Sequence, residues 1–429
     1  MVFRKYRAVK QWGKMDTRIF KEIYNSRNKR KMPAFEIPEA VKALGVRVHE
    51  PNELFRTRGA QDFEKDGEIL KSPGFTEFAQ TEHRQMKMPE EHDREAYVFE
   101  GKEPMSDGIA QAALLSRSIV RNGLPEAILH NSGAKLDVDE EMVRDAILHG
   151  ERYDPTLEKL PARFDPVMFW IRHVRLHGTP VIKRNNIILD NLLRQVLFAG
   201  LRTSAFTQNL QINRDAYMSV KLDGGNFFSK APFILRAQPH LTVQSLQTGP
   251  VQPWAGPLDV QAASVEPLPD IYPICPTIDL YRDTIYHDET LLTRKSQPTN
   301  IHSLLWAREQ DQKYPWTTEQ NMANAILTTY AGAVAQATRN GQKELEKPVL
   351  VRGVQLVNGR LDLVAFQLNT LNIAGHGEDV KNIVWIEKGL RLYKPKPYYE
   401  PMEVVEKLDM NVFRKFCALM LGFDAVHAH

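Results

Sequence analysis

Hydrophobic positions recur along this 429-residue chain at two periods, and the period changes with position. In the middle they fall at helical spacing. Ser106 or Asp107 can cap a helix through Ile109, Ala113, Leu114 and Ile119 that stops at Gly123. The acidic cluster Asp137 to Glu141 precedes Met142, Val143 and Ile147, where carboxylates cap unpaired N–H groups and oppose the positive end of the helix dipole; Gly150 ends that helix. Asn185 or Asn186 opens a third, with Ile188, Leu192, Leu193, Val196 and Leu197 inward and Gly200 closing it.

Further on the pattern turns to strands. Ala216 to Leu222 alternates loosely, and Asp223-Gly224-Gly225-Asn226 is a tight turn before Phe227 and Phe228. Thr317-Thr318-Glu319-Gln320 reads as a capping box, opening a helix through Met322, Ala325, Ile326, Tyr330 and Val334 towards Gly341. Its small residues (Ala331, Gly332, Ala333, Ala335, Ala337) permit close approach of another backbone. Two apolar, β-branched runs, Pro348 to Val357 and Arg360 to Leu371, are joined by Asn358-Gly359, the signal for a two-residue type I′ turn. Ile383 to Ile386 forms another strand, Glu387-Lys388-Gly389 turns the chain back to Leu390, Leu392 and Tyr393, and Asn411 opens a last helix through Phe413, Phe416 and Leu419 to Gly422.

The expected class is α+β: a helical middle section, then a C-terminal helix–antiparallel meander–helix unit, with an extended basic arm in front. The divisions are an arm at 1–34, an extended wrapping segment at 35–105, and a helical section leading into a β-hairpin at 106–241. A Pro-rich linker at 242–270 and an α+β domain at 271–429 follow. The wrapping segment is punctuated by Pro38, Pro51, Pro73, Pro89 and Pro104, with too few apolar residues between them to bury a core of its own.

Charge sets the arm apart. Residues 1–34 hold 11 Lys and Arg against Asp16 and Glu22, a local net of +9, while the whole chain is +3 and residues 35–429 are therefore −6. Arg4, Lys5, Arg7, Lys10, Lys14, Arg18, Lys21, Arg27, Lys29, Arg30 and Lys31 are interleaved with aromatic residues that include Trp12. Such cations neutralise phosphates and release counterions, and aromatic faces accept unstacked bases, so these twelve residues are the candidate RNA contacts. A basic, acid-poor start also fits a mitochondrial transit peptide, although Ser26 is its one serine, and the two roles are compatible. Like charges so dense repel one another until phosphate neutralises them, so the arm is expected to be disordered before assembly.

Composition excludes several classes. With 42% hydrophobic and 25% charged residues the chain can bury a sizeable core, and no apolar run reaches the length of about 18 residues of a membrane span. Cys275 and Cys417 are too few for a disulfide framework or a structural zinc site, so a reducing compartment is expected. No dinucleotide fingerprint, phosphate-binding loop or nucleophile elbow is present. His173 and His177 stand one helical turn apart, but the glutamate and third ligand of a zinc enzyme are missing. Asp362, followed by Gln367 and Asn369 at alternate positions, outlines the layout of a metal-dependent nuclease. Neutral amides cannot replace the carboxylates and lysine that a catalytic Mg²⁺ requires, and local hydrogen bonding is the expected role of Gln367, Asn369 and Lys381. Neither catalytic residues nor a cofactor or metal are expected.

Several stretches resemble, in order, the large-subunit protein thirty-seven family of animal mitochondrial ribosomes. They are Ile271 to Leu280 (IYPICPTIDL), Val364 to Leu371 (VAFQLNTL), Val380 to Trp385 (VKNIVW) and Phe413 to Leu421 (FRKFCALML). Weaker matches lie at Glu36 to Pro38, Ala96 to Glu100, Gly123 to Glu126 and Asn213 to Asp215. A related family, programmed cell death protein nine, shares the Gln-Leu-Asn-Thr and Lys-Asn-Ile-x-Trp stretches, while the block at 271–280 and Phe413-Arg-Lys-Phe416 favour the first. The resemblance implies a structural subunit of the mitochondrial large ribosomal subunit, located in the matrix. It implies contact with mitochondrial rRNA and with neighbouring subunits, including a paralogue related to programmed cell death protein nine. The alternatives are a nuclease around Asp362 and an RNA-free matrix adapter.

Overall fold

The structure, a computed structural model, describes residues 37, 39–45, 95–130, 138–152, 158–163, 167–168, 170–171, 173–203, 210–222, 232–245, 252–272, 277–279, 299–310, 314–338, 345, 347–375, 379–397, 399–400 and 402–421. Two compact units divide the chain, residues 1–88 and 89–429. Within the first the described element is one short helix, α1 (Glu39–Ala43). All that follows concerns the second.

Its elements run β1 (Glu95–Phe99), α2 (Gly108–Leu115), β2 (Ser118–Asn122), α3 (Glu126–His130), α4 (Glu140–Glu151), β3 (Glu158–Lys159), β4 (His177–Gly178), α5 (Val181–Thr203) and β5 (Leu210–Arg214). They continue as β6 (Met218–Leu222), β7 (Phe233–Ala237), β8 (Leu241–Ser245), α6 (Pro257–Val265), β9 (Thr277–Asp279), β10 (Asn300–Arg308), α7 (Thr318–Thr338), β11 (Val349–Val357), β12 (Arg360–Leu368), β13 (Asn382–Arg391) and α8 (Met410–Leu421). The class is α+β. A seven-stranded mixed sheet has the order β2-β13-β12-β11-β10-β8-β5, and a four-stranded sheet the order β6-β7-β1-β9. Because β2, β5 and β8 join β10 to β13, the helical middle and the C-terminal third share one sheet.

Helix α7 lies at the centre. It begins with the expected capping box: Thr317 Oγ1 accepts from the Gln320 N–H at 3.2 Å, and Gln320 Oε1 accepts from the Thr317 N–H at 2.9 Å. Residues 321–335 are buried without interruption, since one side packs on β10 to β13 and the other on α2, β6 and β7. The opposite face of the large sheet is covered by α4, α5 and α8. The layers are thus small sheet, helix, large sheet, helices. Two buried faces explain why β11 and β12 read as continuous apolar runs instead of alternating ones.

Close approach depends on two glycines. A Cβ on Gly332 would sit 2.5 Å from Leu304, and one on Gly353 would sit 1.9 Å from Thr329 Oγ1. The Asn358-Gly359 turn forms as expected, with φ of 49° and 70°. On the helical side a buried ion pair, Arg184 Nη1 to Glu151 Oε2 at 2.9 Å, joins α5 to α4, and the Tyr393 hydroxyl donates to Glu151 Oε1 at 2.7 Å.

Several expectations are corrected. The helix from 106 ends at Leu115, where Arg117 takes φ 46° and Ile119 enters β2. The reason is tertiary. The buried Arg117 guanidinium donates to the carbonyls of Val380 (3.3 Å), Asp379 (3.4 Å) and Gly375. Asn185 does not open α5, which starts at Val181 after Pro180, and Gly200 lies inside it. Gly150 likewise does not stop α4 but admits Ile188, whose Cγ1 lies 2.3 Å from a would-be Cβ. Residues 387–389 are no turn. β13 runs through them as a bulge, with Leu361 opposite Leu390 and Leu363 opposite Glu387. The stretch 242–270, read as a loop, holds most of β8 and all of α6. Asp139 does cap α4 as expected, accepting from the Glu141 N–H, and Asp409 caps α8 by accepting from the Asn411 N–H at 2.9 Å. The turn at 223–226 lies outside the described residues.

Packing this tight predicts that Gly353→Ala lowers stability by about 1–3 kcal/mol, the usual range for overpacking a full core. Thr329→Ala in the same chain should recover more than half of that loss. Urea denaturation of the three variants reads it; additive losses would mean that the two residues do not meet.

Candidate functional site

The carboxylate singled out by sequence, Asp362, lies on the α7 face of β12, opposite the bulge. Its Oδ1 accepts from the Gly389 N–H at 2.7 Å and its Oδ2 from the Gln355 amide at 3.1 Å. Gln355 also donates to the Asn321 carbonyl and accepts from the Trp306 indole, both at 3.0 Å. Burial pushes the Asp362 carboxyl up to about 6 against these hydrogen bonds. A polar recess of about 130 Å³ adjoins it, lined in part by Thr318, Asn321, Asn358 and Arg360. Nearby, Arg308 stacks over Trp316 and donates to Asn321 Oδ1 at 2.7 Å, and burial lowers its guanidinium to about 10.

Gln367 and Asn369 share one face, as alternate positions must, and the Gln367 amide donates to Asn369 Oδ1 at 3.0 Å. That face is the opposite one from Asp362: odd residues of β12 (Leu361, Leu363, Ala365) enter the α5 and α8 side, and even ones (Val364, Phe366) the α7 side. The acid and the amides therefore do not converge on one ion. Among the described residues no three of His, Cys, Asp and Glu are grouped to hold a metal.

What the amides do is hold backbone. Gln367 takes both the N–H (2.9 Å) and, through its NH₂, the carbonyl (3.2 Å) of Ala255, just before α6. Asn382 Oδ1 accepts from the N–H groups of Asn369 and Thr370 at 2.7 and 2.9 Å, while its NH₂ donates to the Ser116 carbonyl at 2.9 Å. The Lys381 ammonium donates to the carbonyls of Ser264 and Glu266 (2.7 Å to the latter) at the C-terminal end of α6, where a cation also opposes the dipole. Trp385 meets Trp254 edge-on at 6.0 Å between centroids, and Arg352 lies 5.1 Å over Trp254. The Gln-Leu-Asn-Thr and Lys-Asn-Ile-x-Trp stretches thus pin the segment before and through α6 to the large sheet. Local hydrogen bonding that fixes the meander, expected of all three, holds for Asn369, which donates to the Lys381 carbonyl at 3.0 Å. Gln367, beyond its bond to Asn369, and Lys381 reach across more than 100 residues to the α6 segment instead.

Two histidine arrangements were tested for chemistry. His173 and His177 are not on a helix; His177 lies in β4 and His173 in the loop before it. His240, which sequence reading did not single out, sits between Asp190 (Nε2, 3.1 Å) and Asp215 (Nδ1, 3.3 Å), while Arg214 pairs with Asp190 at 2.6 Å. The hydrogen bond to Asp190 raises the imidazole, and burial opposes it less strongly. With both ring nitrogens facing carboxylates, His240 has no lone pair to offer a substrate. Cys417 is buried and its thiol is pushed up by desolvation, the condition of an inert packing residue.

Surfaces are the remaining candidates. The basic arm, Arg4 to Lys31 with Trp12, lies outside the described residues. The loop between β3 and β4 is described in large part, and it exposes Val167, Met168, Trp170, Ile171, Val174 and Leu176. Sequence reading weighed its histidines and passed over this apolar run, whose signal was the interruption of Val167-Met168-Phe169-Trp170-Ile171 by no acidic residue.

No family model matches the chain. Curated relatives do. It is 25% identical over 355 residues to the large ribosomal subunit protein mL37 of Gallus gallus, covering 78% of this chain and 76% of that protein. Against the mL37 of Mus musculus it is 26% identical over 345 residues (76% and 74%), and against that of Bos taurus 25% identical over 373 residues (81% and 80%). The resemblance drawn from the residues is borne out over about three quarters of the chain.

Asp362 supplies a pH test. Its folded-state pKa lies above the ordinary carboxylate value of 3.8, so its contribution is fully present below that value and is lost as pH rises through about 6. Asp362→Asn removes the effect. The stability of the native chain relative to this variant should fall by about 2–3 kcal/mol between pH 4 and pH 7, read from paired urea titrations. A constant difference would place the charge in water.

Proposed function

From its likeness to mL37, we propose that this chain is a structural constituent of the mitochondrial large ribosomal subunit, working in the matrix. In this reading it binds rRNA through its basic arm and neighbouring subunits through its body, and so supports mitochondrial translation. The observation that carries the proposal is the ordered similarity over three quarters of both chains. Charge supports the division of labour: the arm holds +9 and the remainder −6, so phosphate attracts the one and repels the other. The described chemistry fits a non-catalytic part, since Asp362, Gln367, Asn369 and His240 are all engaged by protein groups. A paralogous subunit related to programmed cell death protein nine is proposed as one neighbour, as the family resemblance implies.

Sedimentation tests this. In a sucrose gradient of mitochondrial lysate at physiological salt, the chain should travel with the large subunit and leave that position after RNase treatment. A slow-sedimenting peak indifferent to RNase would favour the RNA-free adapter. For the arm alone, phosphate contact without base reading predicts a slope of log affinity against log salt of roughly −4, if about five cations engage a duplex. A flat response would remove the arm from the RNA contacts.

A further inference from the structure

Of the eighteen large apolar side chains exposed among the described residues, six lie within residues 167–176. Val174 is 85% exposed, Val167 76% and Trp170 66%. The loop has a fixed base: β3 pairs with β4, the Leu160 N–H donates to the Leu176 carbonyl at 2.8 Å, and Leu160 itself is buried. Within it the Ile171 N–H donates to the Met168 carbonyl at 3.0 Å. Arg163 lies 4.2 Å over the ring of Tyr399, and a groove of about 230 Å³ runs between Pro161, Arg163, His173, Val174, Leu176 and Tyr399. So dense an exposed apolar run, with arginines at its margin, marks an interaction site and not the scattered hydrophobes of an ordinary surface.

We propose that the described face formed by Arg163, Val167, Trp170, Ile171, Val174 and Leu176 docks a neighbouring protein, through a segment of that partner that is apolar at its centre and carries carboxylates at its edge. Charge selects the acidic edge: residues 160–178 contain Arg163, Arg172 and Arg175 against Asp165, a net of +2 in a body whose sum is −6. Side-chain type selects protein over RNA. Nucleic-acid surfaces combine cations with stacking rings, and the aliphatic Val167, Ile171, Val174 and Leu176 find nothing to gain against phosphate or ribose. Trp170 amid aliphatic residues with arginines at the rim has the composition of a protein hot spot. The inference rests on the assembly reading above and adds to it the surface and the chemistry of the partner.

Benzoylphenylalanine in place of Trp170, in the full chain, tests it. Assembled large subunits are purified on a gradient, irradiated, and the cross-linked peptide sequenced. The expected product is one protein segment with aliphatic or aromatic residues and at least two Asp or Glu. Val174→Asp, or Arg175→Glu, should lower its yield at least tenfold while the chain still enters the particle, because both side chains are exposed. Cross-links to rRNA, cross-links to a second copy of this chain, or none from chains inside the particle would overturn the proposal. Absence of the chain from large subunits overturns the assembly reading instead, and the cross-link is then judged by the same criteria in the complex the chain does enter.

Discussion

Everything in the body depends on burying α7 on all sides. A helix set between a seven-stranded and a four-stranded sheet has no face left for water, so size and hydrogen bonding must both be solved inside the core. Size is solved by alanines and by Gly332, with Gly353 opposite on β11. Much of the hydrogen bonding is met by side chains that close on backbone, while the buried Tyr330 hydroxyl stays without a partner among the described residues. Thr329 donates to the Ala325 carbonyl at 2.7 Å, Asn324 to the Gly101 carbonyl at 3.0 Å, and Gln336 joins the Ile301 N–H (3.0 Å) to Asn300 (2.8 Å). Each of these removes a desolvation penalty of about 1–3 kcal/mol for an unpaired buried group. Together they fix the register of the helix against β10 and against the segment after β1.

The contacts that sequence alone can reveal are local, and here they were legible. The capping box at Thr317, the Asn358-Gly359 turn and the Asp139 cap each satisfy nearby backbone and carry their own residue signature. Two of the failures have distant causes and one a local cause. Ile119 falls at helical spacing after Leu115, but Arg117 reverses the chain because carbonyls more than 250 residues away receive its guanidinium. Gly389 looked like a turn because a left-handed glycine serves a turn and a bulge alike; only the pairing of its N–H with Asp362 decides between them. Prolines suggested a loop at 242–270, yet Pro257 sits at the first turn of α6, where its missing N–H is no loss.

The candidate site was legible in a different sense. Sequence set Gln367, Asn369 and Lys381 to a hydrogen-bonding role, since neutral amides cannot hold a catalytic cation, but bonding confined to the meander holds for Asn369 alone. It could not show which backbone they hold, because Ala255 and Glu266 are brought to them by topology. The same limit hid His240, whose carboxylates come from α5 and from the turn after β5. The apolar run at 167–171 was visible as letters. Whether such a run is core or surface depends on what packs over it, and that is decided in three dimensions.

Charge makes the final connection. A polyanion attracts the +9 of residues 1–34 and repels the −6 of residues 35–429, and both effects are screened over roughly 8–10 Å. In the proposed reading phosphate falls to the arm and protein neighbours to the body, whose exposed side chains would meet short-range complementarity instead of a long-range field. The basic, apolar loop between β3 and β4 fits the protein-facing part of that reading. It offers desolvation energy from Trp170 and Val174, which salt does not screen, together with arginines that fix orientation. If both proposals hold, the chain is retained by two contacts of different physical kind, one weakening steeply with salt and one nearly indifferent to it.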